Sequence, residues 1–220
     1  MNTVQMREER FKRINRVFVA FYYLLSAVLI AVYSVMKDSY HLGISLGTLA
    51  MPPLIPLFYR IFRLKSVHQL NFLVLAFVTL AYPLGSCVDL YRYLPGFDKV
   101  AHTLSGVFVS ILCLILYCAL KKEHRVDRDD LVLAMVFTFF GSMAVAGLWE
   151  ICEYAGSFIT GRDLQRVAAT GVSDSMQDMI VCMAGTFATL PFVRRLALGR
   201  HDFITGAVDA FIEENLISHP

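Results

Sequence analysis

Five ionisable side chains of the types that bind metal ions or transfer protons occur at helical spacing in the second half of the chain. They are His102, Glu150, Glu153, Asp174 and Asp178. The glutamates are three residues apart and the aspartates four apart, so each pair lies on one face of a helix. Carboxylates with one imidazole suit hard or borderline divalent ions such as Mg²⁺, Mn²⁺ or Zn²⁺. The pattern predicts a divalent metal site with these five residues as ligands.

A metal ion held in this way activates water and polarises a phosphoryl oxygen, which is the chemistry of a hydrolase or transferase. We expect His102, Glu150 and Asp178 to be the catalytic residues. Without a metal, His102 acts as the base and Glu150 as the acid. The cations expected to bind an anionic substrate group are Lys99, Arg162 and Arg166.

The elements that carry these residues are predicted to be membrane-spanning helices. Hydrophobic residues make up 57% of the 220-residue chain and charged residues only 17%, which excludes an ordinary soluble domain. A helix needs about 20 apolar residues to cross the ~30 Å hydrocarbon core. Six such stretches occur, approximately at 17–36, 42–61, 70–90, 100–120, 131–154 and 176–193. The connections are short, so we predict an all-α polytopic bundle of six transmembrane helices and a single integral membrane domain over residues 1–220.

The distribution of basic residues predicts the orientation of these helices. Of the 20 Lys and Arg residues, 15 lie in the amino-terminal tail, the second and fourth loops and the carboxyl tail, and five lie in the other loops. The positive-inside rule therefore places both termini in the cytoplasm. A short amphipathic helix is expected on the cytoplasmic face within residues 201–220.

In this orientation the ends of the fourth, fifth and sixth helices that carry the ionisable residues lie on the outer side. At 1.5 Å per residue, His102, Glu150 and Asp178 should form an inner layer roughly 6 to 8 Å inside their helix ends. Asp98, Glu153 and Asp174 should form an outer layer, although Asp98 and Asp174 also fit helix caps. Ala144 and Gly147 predict a close helix approach below the two glutamates.

Three segments, Asp98-Lys99-x-x-His102, Glu150-x-x-Glu153 and Asp174-x-x-x-Asp178 followed by Gly185, resemble the VanZ-like superfamily of small bacterial membrane proteins, and most of all its YjdF-like branch. The similarity covers roughly residues 98–191. Glu153 stands where the superfamily usually has glutamine, and Cys182 where it has asparagine. The resemblance implies a multi-spanning protein of the bacterial inner membrane and a role in the cell envelope, and it names no substrate.

The leading hypothesis is therefore a metal-assisted membrane hydrolase or transferase acting on a lipid-linked or phospholipid substrate in the outer leaflet. A small ion- or proton-coupled transporter is one alternative, and a non-catalytic partner whose polar cluster fastens three helices is another. The expected partner is the lipid bilayer of the cell membrane, and no nucleic acid is expected. The sequence leaves the substrate, the metal and the oligomeric state open.

Overall fold

The described part of the protein is all-α: it consists of helices joined by loops and turns, with no β-strand. The structure is a computed structural model, and it describes residues 3–165, 167–200 and 202–217. Within these residues six helices are long and apolar enough to cross a membrane. The predicted fold class and the number of spans are confirmed. The six spans are Val4–Met36, Ser39–Ile61, His68–Cys87, Phe97–Leu120, Leu131–Thr160 and Ser173–Ala197.

The described residues form ten α-helices, the last of which follows the sixth span. In chain order they are α1 (Thr3–Met36), α2 (Ser39–Gly47), α3 (Met51–Ile61), α4 (His68–Thr79), α5 (Leu90–Tyr93), α6 (Phe97–Leu120), α7 (Leu131–Thr160), α8 (Val167–Thr170), α9 (Ser173–Ala197) and α10 (Phe203–Ile212). A 3-10 turn occupies Thr48–Ala50, and π-helical segments occupy Leu80–Cys87 and Glu213–Ile217.

Five of the predicted spans are too short, including the second, which begins at Ser39 instead of residue 42. The helix predicted at 17–36 begins at Thr3, and the one predicted at 131–154 ends at Thr160; α6 and α9 also extend beyond 100–120 and 176–193. The apolar run marks only the part of a helix that lies in hydrocarbon, whereas the backbone hydrogen bonds continue into the polar flanks. Gly161 follows the last residue of α7 and has a φ of +66°, so it provides the left-handed cap that ends this helix.

The second and third spans are not continuous α-helices. The second changes from α2 through the 3-10 turn to α3, where Pro52 and Pro53 occupy the first helical turn and need no hydrogen-bond partner. The third ends in a π-helical segment around Pro83, whose ring nitrogen has no proton to donate. Its predicted end at residue 90 is wrong, because the span ends at Cys87 and Asp89 has a φ of +65°.

The described residues group into two compact units, residues 3–97 with 209–217 and residues 98–208. In the first unit, α1 packs against α2 and α4. The Glu8 carboxylate of α1 accepts hydrogen bonds from the first two backbone N–H groups of α4, at His68 and Gln69. Those groups have no partner within α4, so Glu8 caps this helix and fixes the amino-terminal part of α1 against it.

The second unit contains α6, α7, α8 and α9, and α7 packs along α9. A layer of polar contacts joins three of its helices. The Ser142 hydroxyl of α7 lies 2.8 Å from the Thr186 hydroxyl of α9, and it donates a hydrogen bond of 3.4 Å to the Gly106 carbonyl of α6. The predicted site residues that the structure describes all lie in this unit. The single membrane domain predicted over 1–220 stays a prediction, as does the cytoplasmic position of the tail, whose described part forms α10 and the π-helical segment after it.

Candidate functional site

The polar cluster is built from the amino-terminal turns of two helices. Asp98, Lys99 and His102 belong to the first two turns of α6, and Asp174 and Asp178 to the first two turns of α9. Spacings of three and four residues place the side chains of each helix on the face that meets the other. Asp98 and Asp174 lie inside the first turns, where a carboxylate is also stabilised by the helix dipole.

Two glycines allow α6 and α9 to approach closely just inside the cluster. A Cβ atom at Gly106 would collide with the backbone carbonyl of Cys182, and one at Gly185 would collide with the backbone carbonyl of Thr103. No side chain fits between the helices at this level. The crossing therefore sets the distance between the cluster residues, such as His102 and Asp178, which lie one to two turns closer to the amino terminus of each helix.

Lys99 is the cationic centre of the cluster. Its Nζ donates to Asp174 Oδ1 and Asp178 Oδ1, each at 2.7 Å, and lies 3.4 Å from Asp98 Oδ2. Asp174 is only 8% exposed and Asp178 only 3%. Buried carboxylates of this kind need a compensating charge, and Lys99 supplies it. The ammonium predicted to bind substrate is thus bonded to protein carboxylates.

His102 lies beside the same carboxylates. Its Nε2 is 3.5 Å from Asp98 Oδ1 and 3.8 Å from Asp178 Oδ1, and one ligand atom from each of these three residues lies within 4.8 Å of the others. Two ligand atoms that share an ion at bond lengths of 2.0–2.2 Å lie roughly 3–3.6 Å apart. Asp98, His102 and Asp178, which we call the ligand trio, therefore need only small shifts to hold one divalent ion.

The two glutamates of α7 have separate partners. Glu153 Oε1 accepts a hydrogen bond of 2.9 Å from the Trp149 indole, one turn earlier in α7. Gln165 donates to the Glu150 backbone carbonyl at 3.1 Å and lies 3.4 Å from Glu150 Oε2. Glu153 is thus bonded within its own helix, whereas Glu150 is engaged by the segment between α7 and α9.

The predicted metal ligands therefore divide into three groups. His102 and Asp178 lie together in the ligand trio, Asp174 is held by Lys99, and Glu150 and Glu153 are bonded to Gln165 and Trp149. Arg162 is exposed in the turn after α7. Arg166, the other predicted substrate-binding arginine, lies outside the described residues.

Sequence reasoning did not assign Asp98 as a ligand and did not single out Gln165 or Ser175. Asp98 was detectable, because it lies four residues before His102. Gln165 Nε2 also lies 3.3 Å from the Ser175 hydroxyl, so it links α7 to the start of α9. No spacing rule predicts that contact, since Gln165 lies in an irregular segment.

The close approach predicted at Ala144 and Gly147 is wrong. Ala144 is exposed, and a Cβ atom at Gly147 would have no neighbour within 4 Å. The small residues that bring helices together in this unit are Gly106 and Gly185. Small residues permit a close approach wherever they occur, so their presence alone does not identify the helix face that is used.

Comparison with known proteins places the chain in a family. The model of a family described as "Predicted membrane protein (DUF2238)" matches residues 15–197, which include most of the first span, the other five spans and the whole cluster. No curated protein and no solved structure matches the chain. The match covers most of the sequence and agrees with the six candidate spans. The chain belongs to the DUF2238 family of predicted membrane proteins.

Proposed function

We propose that this protein is an integral membrane enzyme, a metal-assisted hydrolase or transferase whose ion is held by Asp98, His102 and Asp178. The observation that carries the proposal is the convergence of three ligand atoms within 4.8 Å at the amino-terminal ends of two membrane helices. Three protein ligands leave coordination positions open for water and substrate, as in catalytic metal sites. An ion bound there supplies a nucleophilic water and polarises a phosphoryl oxygen.

The charges around the ligand trio support a bound cation. Asp98, Asp174 and Asp178 place three carboxylates around one ammonium, that of Lys99. Uncompensated charge is costly at membrane depth, so an excess of carboxylates favours either protonation or a bound cation. A divalent ion balances the two carboxylate charges that Lys99 leaves.

The proposed substrate is a lipid-linked or phospholipid molecule of the cell envelope. A site at the ends of membrane helices lies at the depth of lipid head groups, whose phosphoryl oxygens suit a divalent ion. The resemblance of the three acidic segments to the VanZ-like superfamily supports an envelope role. Arg162, exposed in the turn after α7, is the described cation proposed to bind the anionic head group.

Metal content of the purified full-length chain tests the proposal. After dialysis against Zn²⁺, Mn²⁺ or Mg²⁺, plasma mass spectrometry should find one ion per wild-type chain. His102→Gln and Asp178→Asn should lower the affinity at least about tenfold. Asp127→Asn is the control, because this carboxylate pairs with Lys121 and Arg125 in the loop after α6. Equal affinity in Asp178→Asn, or a wild-type chain that binds none of the three ions, contradicts the proposal.

The same measurement distinguishes the ligand trio from the wider ligand set predicted from the sequence. Glu150→Gln should retain the ion if Asp98, His102 and Asp178 hold it, because Glu150 is engaged by Gln165. Loss of the ion in Glu150→Gln would instead support a site completed by α7.

A second candidate is a non-catalytic role in which the cluster fastens helices together. The observation in its favour is that Lys99 already joins α6 to α9 through two hydrogen bonds of 2.7 Å. Under this reading, Glu150→Gln combined with Asp178→Asn should lower the melting temperature. An enzyme should keep or raise it, since active-site acids are held at a cost in stability. Thermal unfolding of the purified double variant decides between the two.

A further inference from the structure

The amino-terminal part of α1 carries a row of exposed arginines. Arg10, Arg13 and Arg16 are all exposed and form no hydrogen bond or ion pair in the described part of the chain. They belong to the first unit, so they are separate from the cluster described above. We call these three residues the arginine row.

The acids of the same region do not neutralise the arginine row. Glu8 is engaged by the backbone of α4, Glu9 pairs with Lys12 at 3.2 Å, and Glu214 lies 3.7 Å from Lys65. Arg60 and Arg63, at the end of α3 in the same unit, are also exposed and lack an ion pair among the described residues. The region therefore presents several guanidinium groups with unused hydrogen-bond donors.

Two members of the arginine row, Arg10 and Arg13, continue the lipid-facing side of α1. Glu8, Asn15 and Tyr22, at intervals of seven, mark the side turned toward the first unit. On the opposite side lies a stripe of exposed apolar residues at helical spacing, consisting of Val17, Phe21, Leu24 and Val28. Arg10 and Arg13 precede Val17 by seven and four residues, so they extend this stripe.

The depth of the arginine row matches that of lipid phosphates. From Val17 to Met36, α1 rises about 28 Å, close to the ~30 Å of the hydrocarbon core. Arg13 and Arg10 then lie about 6 and 10 Å beyond Val17, in or near the head-group layer. A guanidinium pairs with phosphate through two parallel hydrogen bonds.

We propose that Arg10 and Arg13, with Arg16 beside them, form a binding site for the phosphate groups of anionic phospholipids at the membrane surface where α1 begins. The positive-inside rule explains why basic residues occur on this side, but it does not require that they face lipid or lack acidic partners. The continuity with the exposed stripe identifies bilayer lipid as the occupant. The proposal concerns the first unit and is independent of the enzyme function.

Lipid-dependent stabilisation of the full-length chain tests the site. The purified protein in neutral detergent is titrated with phosphatidylglycerol or phosphatidylcholine, and its melting temperature is followed. Phosphatidylglycerol should stabilise the wild type in a salt-sensitive manner, whereas phosphatidylcholine should not. Arg10→Gln with Arg13→Gln should raise the phosphatidylglycerol concentration at half-effect about 25-fold, or about fivefold for each arginine.

Two variants control for charge and for folding. Lys12→Gln removes one charge from the same turns, but Lys12 is paired with Glu9, so its half-effect concentration should change less than twofold. Arg10→Lys with Arg13→Lys should recover most of the preference, since it keeps the charges. The proposal is overturned if the double glutamine variant matches the wild type, if Lys12→Gln weakens binding as strongly, or if phosphatidylcholine stabilises equally well.

Discussion

At the scale of single residues, the cluster on α6 and α9 has more carboxylates than cations, and this imbalance makes its members unequal. Removing one acid still leaves Lys99 with a partner, whereas removing Lys99 leaves Asp174 and Asp178 buried without a cation. Lys99→Met should therefore lower the free energy of unfolding by up to about 3 kcal/mol. This value is the lower limit of the cost of breaking a fully buried ion pair, because the Lys99 side chain remains 24% exposed. Asp178→Asn should leave the free energy of unfolding nearly unchanged, because Lys99 keeps Asp98 and Asp174 as partners.

Denaturation in detergent measures both changes. A matched control is Lys37→Met, which removes a lysine between α1 and α2. Equal destabilisation by Lys99→Met and Asp178→Asn would contradict the prediction, because it would mean that the cluster has no excess of carboxylates over cations.

A second ionic cluster, in the loop between α6 and α7, should make stability depend on pH. A hydrogen bond from Lys121 lowers the pKa of Asp127; burial tends to raise the pKa of Asp130, but hydrogen bonds from Lys121 and Tyr117 lower it overall. Hydrogen bonds to both aspartates raise the pKa of Lys121. The aspartates contribute stability above about pH 4 that is lost as the pH falls through their lowered pKa values. Lys121 contributes below about pH 10, and its share is lost as the pH rises through its raised pKa.

Lys121→Met should therefore lower the melting temperature at pH 7 by about 2–4 °C and flatten its decline below pH 4. Thermal unfolding between pH 2 and pH 8 gives both quantities. Lys122→Met is the control, since Lys122 is exposed and forms no ion pair in the described chain. If the melting temperature of Lys121→Met fell below pH 4 as steeply as that of the wild type, the pairing of Lys121 with the two aspartates would not be the cause of the pH dependence.

At the scale of elements, the crossing of α6 and α9 positions the candidate site. Gly106→Ala and Gly185→Ala each place a methyl group on a backbone carbonyl of the other helix. Each should cost about 1–3 kcal/mol or more and displace the cluster residues one to two turns away, so metal binding should weaken as well. Gly147→Ala is the matched control, because its methyl group meets open space and alanine favours a helix by up to about 1 kcal/mol. Unfolding experiments in which all three variants behave alike would contradict the close crossing.

At the scale of the whole molecule, the distribution of Lys and Arg predicts that both termini face the cytoplasm. A fluorescent protein that matures only in the cytoplasm should fluoresce when fused after residue 217 or after Arg128, and alkaline phosphatase at these positions should be inactive. Fusions after Arg162 should give the opposite result, because the fifth loop is predicted outside. Active phosphatase at the carboxyl terminus would reverse the orientation and place the candidate site on the cytoplasmic side.

The sequence by itself determined the class of the protein, the number of spans and the helix faces that carry acids. These properties depend on local composition and periodicity, because lipid requires each span to satisfy its own backbone hydrogen bonds. Hydropathy placed most helix ends too far inward, since it detects only the part of a helix that lies in hydrocarbon.

Only the tertiary structure decided which polar residues meet. Periodicity assigns a residue to a face of its own helix, but the rotation and crossing of neighbouring helices depend on contacts far apart in sequence. The approach of Gly106 and Gly185 brings Asp178 to Lys99 and His102, and Gln165 engages Glu150 from an irregular segment. For this reason Asp98 entered the ligand trio in place of a glutamate, and Lys99, predicted to bind substrate, proved to be the internal partner of two aspartates.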